Sequence, residues 1–262
     1  MKFEEFGLEN EKTLMLLPST GCTWQINFGG VKEELEKKYH LICVNDDGFD
    51  GDKTVSFPGM ISVTKKIEKY IQKNHGGKVD GAYGSSLGGS FVGLLIQRKN
   101  IHIDHGFIGS SDLDQGSPFV AKIATRIIGG TLQGSLHDPG KRKRLFKLFE
   151  WVLGLKADDK VREFAEQYIS AMEDYHPDAI MREYYSDYVT PLENGIDVPG
   201  TTIHVIYALK MGKKYEKRYL QHFADPDIIR FDMAHEVWMF DDKWRKPVMD
   251  AIETRMEGDN ER

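Results

Sequence analysis

Lys78-Val79-Asp80-Gly81-Ala82-Tyr83-Gly84-Ser85-Ser86-Leu87-Gly88-Gly89-Ser90 is the stretch that decides the fold. Val79 to Tyr83 reads as a short strand, and Leu87 to Gln97 as an apolar helix rich in small residues. Between them, Gly84-Ser85-Ser86-Leu87-Gly88 has the G-x-S-x-G spacing of a serine carried on a sharp strand-to-helix turn. The spacing has a mechanical cause. A side chain at the tip of such a turn sits in strained dihedrals, and neighbouring chain passes so close that the flanking positions must be small. Gly84 and Gly88 meet that demand. The turn exposes the Ser86 hydroxyl, and a helix starting at Leu87 directs unpaired N–H groups and its positive dipole end toward it. A glycine-rich turn with an incidental serine has the same local composition, so the rest of the chain must supply the context.

Outward from this turn, strand and helix signals alternate. Leu14-Met15-Leu16-Leu17 is an apolar run stopped at Pro18, as in a buried central strand, and a turn-rich Ser19-Thr20-Gly21-Cys22-Thr23 follows. Val31 to Tyr39 places Val31, Leu35 and Tyr39 on one helical face. Leu41 to Val44 is a second apolar strand, closed by Asn45-Asp46-Asp47-Gly48. Ile61 to Gln72 is helix-spaced and stops before His75-Gly76-Gly77, and Ile101 to Ile108 is a further strand. Such alternation predicts an α/β protein with a doubly wound, mostly parallel sheet. After Gln115 the strand signals cease, and helical segments rich in aromatics run to about Pro191. Thr202 to Ala208 then reads as strand, KKYEKRYLQHF as helix, Ile228 to Phe231 as the last strand, and a terminal helix ends near Met256. The expected organisation is a core made of residues 1–116 and 198–262, interrupted by an all-helical cap over 117–197.

The chain has 262 residues, with 35 basic and 41 acidic side chains and a net charge of −6. That length suits one α/β domain carrying an insertion. Hydrophobic residues at 40% and charged residues at 29% are the balance of a globular protein with a sizeable core. The acidic surplus speaks against a dedicated nucleic-acid binder, and Lys141-Arg142-Lys143-Arg144 reads as the solvated start of a helix. Two cysteines, Cys22 and Cys43, make no disulfide framework and fit a reducing compartment. MKFEEFGLENEK has no apolar signal core, and no run approaches the roughly 18 apolar residues of a membrane span. The expectation is a cytoplasmic protein without stable membrane association.

A serine is a weak nucleophile unless a base takes its proton. Met233-Ala234-His235-Glu236 lies between the last expected strand and the terminal helix, where a sheet of this kind carries the base. Structural roles suit His75 and His137 beside glycines, His102, His105 and His204 in strands, and His222 on a helix. His102-Ile103-Asp104-His105 has metal-ligand residue types, but strand alternation splits neighbours between two faces, and no metal site is expected there. Negative charge developing on a reacting carbonyl oxygen needs N–H donors. Leu87 supplies one, and the loop Pro18-Ser19-Thr20-Gly21-Cys22 the other, with Thr20 the expected donor and Ser19 second.

Taken together, the chain resembles the α/β-hydrolases of the esterase/lipase type. The matching features are the loop after Leu14–Leu17, the Asp47-Gly48-Phe49 turn, the Ser86 elbow, the helical insertion, and His235 before a C-terminal helix. They span nearly the whole chain. The resemblance implies a serine carboxylic-ester hydrolase working through an acyl-enzyme on short to medium acyl esters. Ser86 would be the nucleophile, His235 the base, and Leu87 and Thr20 the oxyanion donors, with a small-molecule ester as partner and no cofactor. The chain departs from the pattern twice. Many relatives have a His-Gly pair where Pro18-Ser19 stands. Many also place the triad acid after the penultimate strand, where Leu209 to Lys214 holds no carboxylate before Glu216. Asp112, just beyond the strand ending Phe107-Ile108, is therefore the expected acid, with Asp114 and Glu216 in reserve. The alternatives are another acyl-transfer or C–C bond hydrolase reaction at the same site, or a non-catalytic binding protein on this fold.

Overall fold

The structure is a computed structural model that describes residues 1–113, 115–153 and 159–258. Its strands are β1 (Lys2–Phe6), β2 (Thr13–Leu17), β3 (His40–Asn45), β4 (Lys78–Ser85), β5 (His102–Gly109), β6 (Thr202–Ala208) and β7 (Asp227–Phe231). They form one seven-stranded sheet in the order β1-β3-β2-β4-β5-β6-β7. Only β1 is antiparallel; every other neighbouring pair is parallel. The helices are α1 (Trp24–Leu35), α2 (Met60–Asn74), α3 (Leu87–Arg98), α4 (Pro118–His137), α5 (Pro139–Leu153), α6 (Asp159–Met172), α7 (Ala179–Val189), α8 (Lys214–His222) and α9 (Asp242–Glu257). The doubly wound α/β sheet read from the strand–helix alternation is present.

Strand periodicity divides the core into two layers. Along β2, Met15 and Leu17 pack with α2 and α3 through Val63, Ile67, Phe91 and Leu95. Leu14 and Leu16 face the other way, onto Phe28, Val31 and Leu35 of α1 and Val248 and Ile252 of α9. Side chains covered on both faces explain why the central strands are continuous apolar runs. Each fully buried Leu, Ile or Phe contributes roughly 1.5–3 kcal/mol relative to exposure.

Two elements depart from the sequence reading. Helix α1 starts at Trp24, not Val31, and runs straight through Gly29 and Gly30. Burial of Trp24, Phe28, Val31 and Leu35 on one face outweighs the low helix propensity of the two exposed glycines. KFEEF forms the edge strand β1, in register with β3 from Lys2↔Asn45 to Phe6↔Leu41. From β2 the chain steps out to β3, then crosses back to β4 and continues through β5, β6 and β7 in the opposite direction. This reversal opens a crevice at the carboxyl ends of β2 and β4, the place where ligands bind in sheets of this kind. Four helices, α4 to α7, stand between β5 and β6. Among the described residues no helix is long and apolar enough to cross a membrane.

Backbone approach sets the tolerance of individual glycines. A Cβ on Gly84 would lie 2.0 Å from the carbonyl oxygen of Gly88, and one on Gly88 would lie 2.2 Å from that of Leu17. Gly29 has nothing within 4 Å. Urea denaturation should therefore show Gly88→Ala destabilised by about 1–3 kcal/mol or more, and Gly29→Ala stabilised by about 0.5–1 kcal/mol. Equal midpoints for the two variants would contradict this packing.

Candidate active site

Ser86 stands between the last residue of β4 and the first of α3 with φ 51° and ψ −115°, a conformation that a serine adopts only when its surroundings impose it. Three contacts do so. Its N–H donates to the carbonyl of Gly109 at the end of β5, at 2.7 Å, and Gly89 N–H closes onto its own carbonyl at 2.9 Å. Gly84 and Gly88 let the turn press against itself and against Leu17. Leu87 opens α3, so its N–H is one of the donors an α-helix leaves without an internal partner.

The loop after β2 faces this turn. Ser19 N–H donates to Asn27 Oδ1 of α1 at 2.7 Å, and Cys22 N–H to the Ser19 carbonyl at 3.0 Å. Gly21 takes φ 66°. Cys22 is buried beside Ser19, and burial pushes its thiol pKa up to about 12, which leaves it a neutral packing group.

His235 follows β7 on the segment Met233 to Trp238. The anchor of that segment is the next residue. Glu236 adopts φ 49°, and its buried carboxylate accepts from the Tyr83 hydroxyl of β4 at 2.8 Å, which itself accepts from Trp238 Nε1 at 3.0 Å. Burial raises the Glu236 pKa above the usual carboxylate value. Among the described residues His235 makes no hydrogen bond or ion pair, and burial alone pushes its pKa down to about 4.

Ser86, His235 and Thr20 line one cavity of about 480 Å³, and Leu87, the first residue of α3, follows Ser86 directly. Its walls are mostly apolar and come from the helices between β5 and β6: Ile127 and Leu132 of α4, Leu145 and Leu148 of α5, Phe164 and Tyr168 of α6, and Tyr184 of α7. A larger cleft of about 620 Å³, lined by Phe57, Lys122, Arg126 and Arg182, contains none of the residues expected to carry chemistry. Convergent polar groups, not size, distinguish the first cavity.

Of the expected acids, Asp112 and Glu216 do not line it. Asp112 follows β5 and is half-buried; its carbonyl accepts from Arg218 Nη1 of α8 at 2.7 Å, and its charge acts on Tyr219. It is not in the cavity lining. Glu216 is in a surface ion pair with Arg230. Asp114 lies outside the described residues. Three of the other histidines are built into the frame: His105 Nδ1 meets His204 Nε2 at 3.1 Å, His204 Nδ1 meets Asp227 at 3.0 Å, and His222 meets the Glu193 carbonyl. Sequence reasoning missed Asn27, Tyr168, Glu183 and Glu236. Only Glu236, a carboxylate directly after His235, left any local signal.

No protein-family profile and no curated protein matches the chain in sequence. Solved structures do match in shape. An α/β hydrolase family protein from Desulfitobacterium hafniense superposes with a TM-score of 0.74 at 16% identity, covering 96% of this chain and 99% of its own. A thermophilic esterase from Thermogutta terrifontis gives 0.73 at 13% identity, over 97% and 93% of the two chains. MenH from S. aureus gives 0.71 at 12% identity, over 98% of each. The chain has the α/β-hydrolase fold.

A histidine whose folded pKa is lowered stays neutral while the unfolded chain takes up a proton near pH 6.5. His235 therefore contributes a loss of stability as pH falls from about 6.5 toward about 4, and it remains a proton acceptor throughout that window. Imidazole NMR titration should find His235 neutral at pH 5.5. A midpoint near 6.5 would show that the ring is solvated.

Proposed function

We propose that the protein is a serine carboxylic-ester hydrolase acting on short to medium acyl esters. The observation that carries this reading is the strained Ser86, presented at positive φ into the same apolar cavity as His235 and Thr20. Ser86 Oγ attacks the ester carbonyl carbon while His235 takes the hydroxyl proton. The carbonyl oxygen becomes an oxyanion, held by the N–H groups of Leu87 and Thr20. Collapse of this adduct breaks the bond to the alcohol, which leaves with the proton from His235. Water, deprotonated by His235, then attacks the acyl carbon; the bond to Ser86 Oγ breaks, the carboxylic acid leaves, and His235 returns the proton to Ser86 Oγ. The chemistry draws on protein side chains and backbone alone.

Asp112 is the proposed acid, because it stands beyond the carboxyl end of β5, the strand whose Gly109 holds the Ser86 N–H. The helices α4 to α7 are proposed to act as a cap that sets substrate size. Their side chains supply most of the apolar lining of the cavity of about 480 Å³ that would receive the acyl group.

An alkyl phosphonate ester should add a single adduct, on the peptide containing Ser86, and Ser86→Ala should abolish both labelling and ester hydrolysis. Labelling of Ser85 or Cys22 would overturn the assignment. Asp112→Asn should cut turnover by about 10⁴; near wild-type turnover would remove Asp112 while leaving Ser86 and His235 in place. Across p-nitrophenyl esters from acetate to palmitate, kcat/KM should peak at short to medium chains, and a steady rise to palmitate would contradict the proposed size limit.

A further inference from the structure

We infer that Glu183 and Tyr168, both on the helices between β5 and β6, are positioning residues for the Thr20 N–H, so that these helices form part of the oxyanion site as well as its roof. The inference rests on the serine-hydrolase reading above. Its ground is one peptide unit. The Tyr168 hydroxyl of α6 donates to the Thr20 carbonyl at 3.4 Å, and the Gly21 N–H donates to Glu183 Oε2 of α7 at 2.7 Å. That carbonyl and that N–H belong to the same planar peptide, so its orientation is held at both ends by the helical segment.

The rest of the loop is held from the core. Asn27 takes the Ser19 N–H, and the Ser19 carbonyl accepts from Cys22 N–H. Bonds on both sides leave the Thr20 N–H as the loop's donor toward the cavity that Thr20 lines. The Thr20 N–H itself belongs to the preceding Ser19–Thr20 peptide, whose carbonyl accepts from Cys22 N–H, so loss of the Tyr168 and Glu183 bonds would free the residue that carries the donor on its C-terminal side and let the donor shift. The fit is close: a Cβ on Gly21 would lie 2.3 Å from the Tyr168 hydroxyl oxygen. Glu183 is 2% exposed and Tyr168 is 4% exposed, so water does not substitute for either bond.

Glu183 acts here as the acceptor for the Gly21 N–H. Burial, and next the charge of Asp46, hold its pKa well above the usual carboxylate value; Asp187 adds to this, and the Gly21 N–H opposes it. The neighbouring Tyr168 and Tyr175 hydroxyls and the Cys22 thiol are neutral for the same reason, burial. A glutamine offers the same carbonyl acceptor without a proton to lose, so it should replace Glu183 where alanine does not.

The test compares Glu183→Ala, Glu183→Gln and Tyr168→Phe with wild type and Ser86→Ala on p-nitrophenyl butyrate, each checked for folding by circular dichroism. Glu183→Ala should lose roughly 10²-fold in kcat with KM within about threefold, Glu183→Gln should stay within about threefold of wild type, and Tyr168→Phe should lose about three- to tenfold. A trifluoromethyl ketone, which forms an oxyanion adduct with the serine, should weaken in step with kcat/KM in Glu183→Ala, while the matching methyl ketone binds unchanged. Retained kcat in Glu183→Ala, equal weakening of both ketones, or a Glu183→Gln variant as impaired as the alanine would overturn the inference. If Glu183→Ala does not fold, wild-type kinetics in Tyr168→Phe would overturn it. Hydrolysis surviving in Ser86→Ala would instead remove the serine reading, and the inference with it.

Discussion

The backbone of Ser86 is the constraint on which the rest of the structure depends. Holding a non-glycine residue at φ 51° and ψ −115° costs on the order of 1–3 kcal/mol, and it persists only because several contacts determine it at once. The Gly109 carbonyl fixes the Ser86 N–H, the turn packs against Leu17 without an intervening side chain, and α3 starts immediately afterwards. Gly109 belongs to β5 and Leu17 to β2, and the turn itself ends β4. The parallel order of those three strands at the centre of the sheet is thus what makes the strained turn affordable.

The same strand also locates the proposed base. Tyr83, near the end of β4, holds the Glu236 carboxylate, and Trp238 holds the Tyr83 hydroxyl. A buried hydrogen bond to a charged or acidic group contributes about 1.5–3 kcal/mol, and leaving one partner alone costs more. His235 is therefore placed relative to Ser86 through side chains rooted in one strand. The loop after β2 completes the arrangement from the other side of the crevice, tied to α1 through Asn27 and to the helical segment through Tyr168 and Glu183. Three loops from separate parts of the chain meet because the strand order reverses between β2 and β4.

Most of the sheet was legible in the sequence because its central strands are buried on both faces and read as unbroken apolar runs. Edge strand β1 was not: KFEEF is half-buried and carries charge at three of its positions. The start of α1 was hidden by Gly29 and Gly30, whose cost is offset by the burial of Trp24 and Phe28, a tertiary effect with no local trace. Of the candidate site, the positions of Ser86, Leu87 and His235 were legible because strand-to-helix turns and chain order are local signals. Thr20 needed the loop to be placed after β2. Glu183 and Tyr168 reach the same loop across sequence separations of 162 and 148 residues, which no spacing rule encodes. Asp112 could be ordered along the chain but not oriented, since the direction of a loop side chain is set by partners such as Arg218 and the Ser110 turn at φ 45°.

The central claim is that Ser86, His235 and two backbone N–H groups form one acyl-transfer site. A crystal structure of the protein trapped with an alkyl phosphonate tests it most directly. The account predicts a covalent bond from phosphorus to Ser86 Oγ, with the phosphoryl oxygen about 2.7–3.1 Å from the N–H nitrogens of Leu87 and Thr20. His235 should lie within hydrogen-bond reach of Ser86 Oγ. A phosphoryl oxygen directed away from both donors, or an adduct on any other residue, would contradict it.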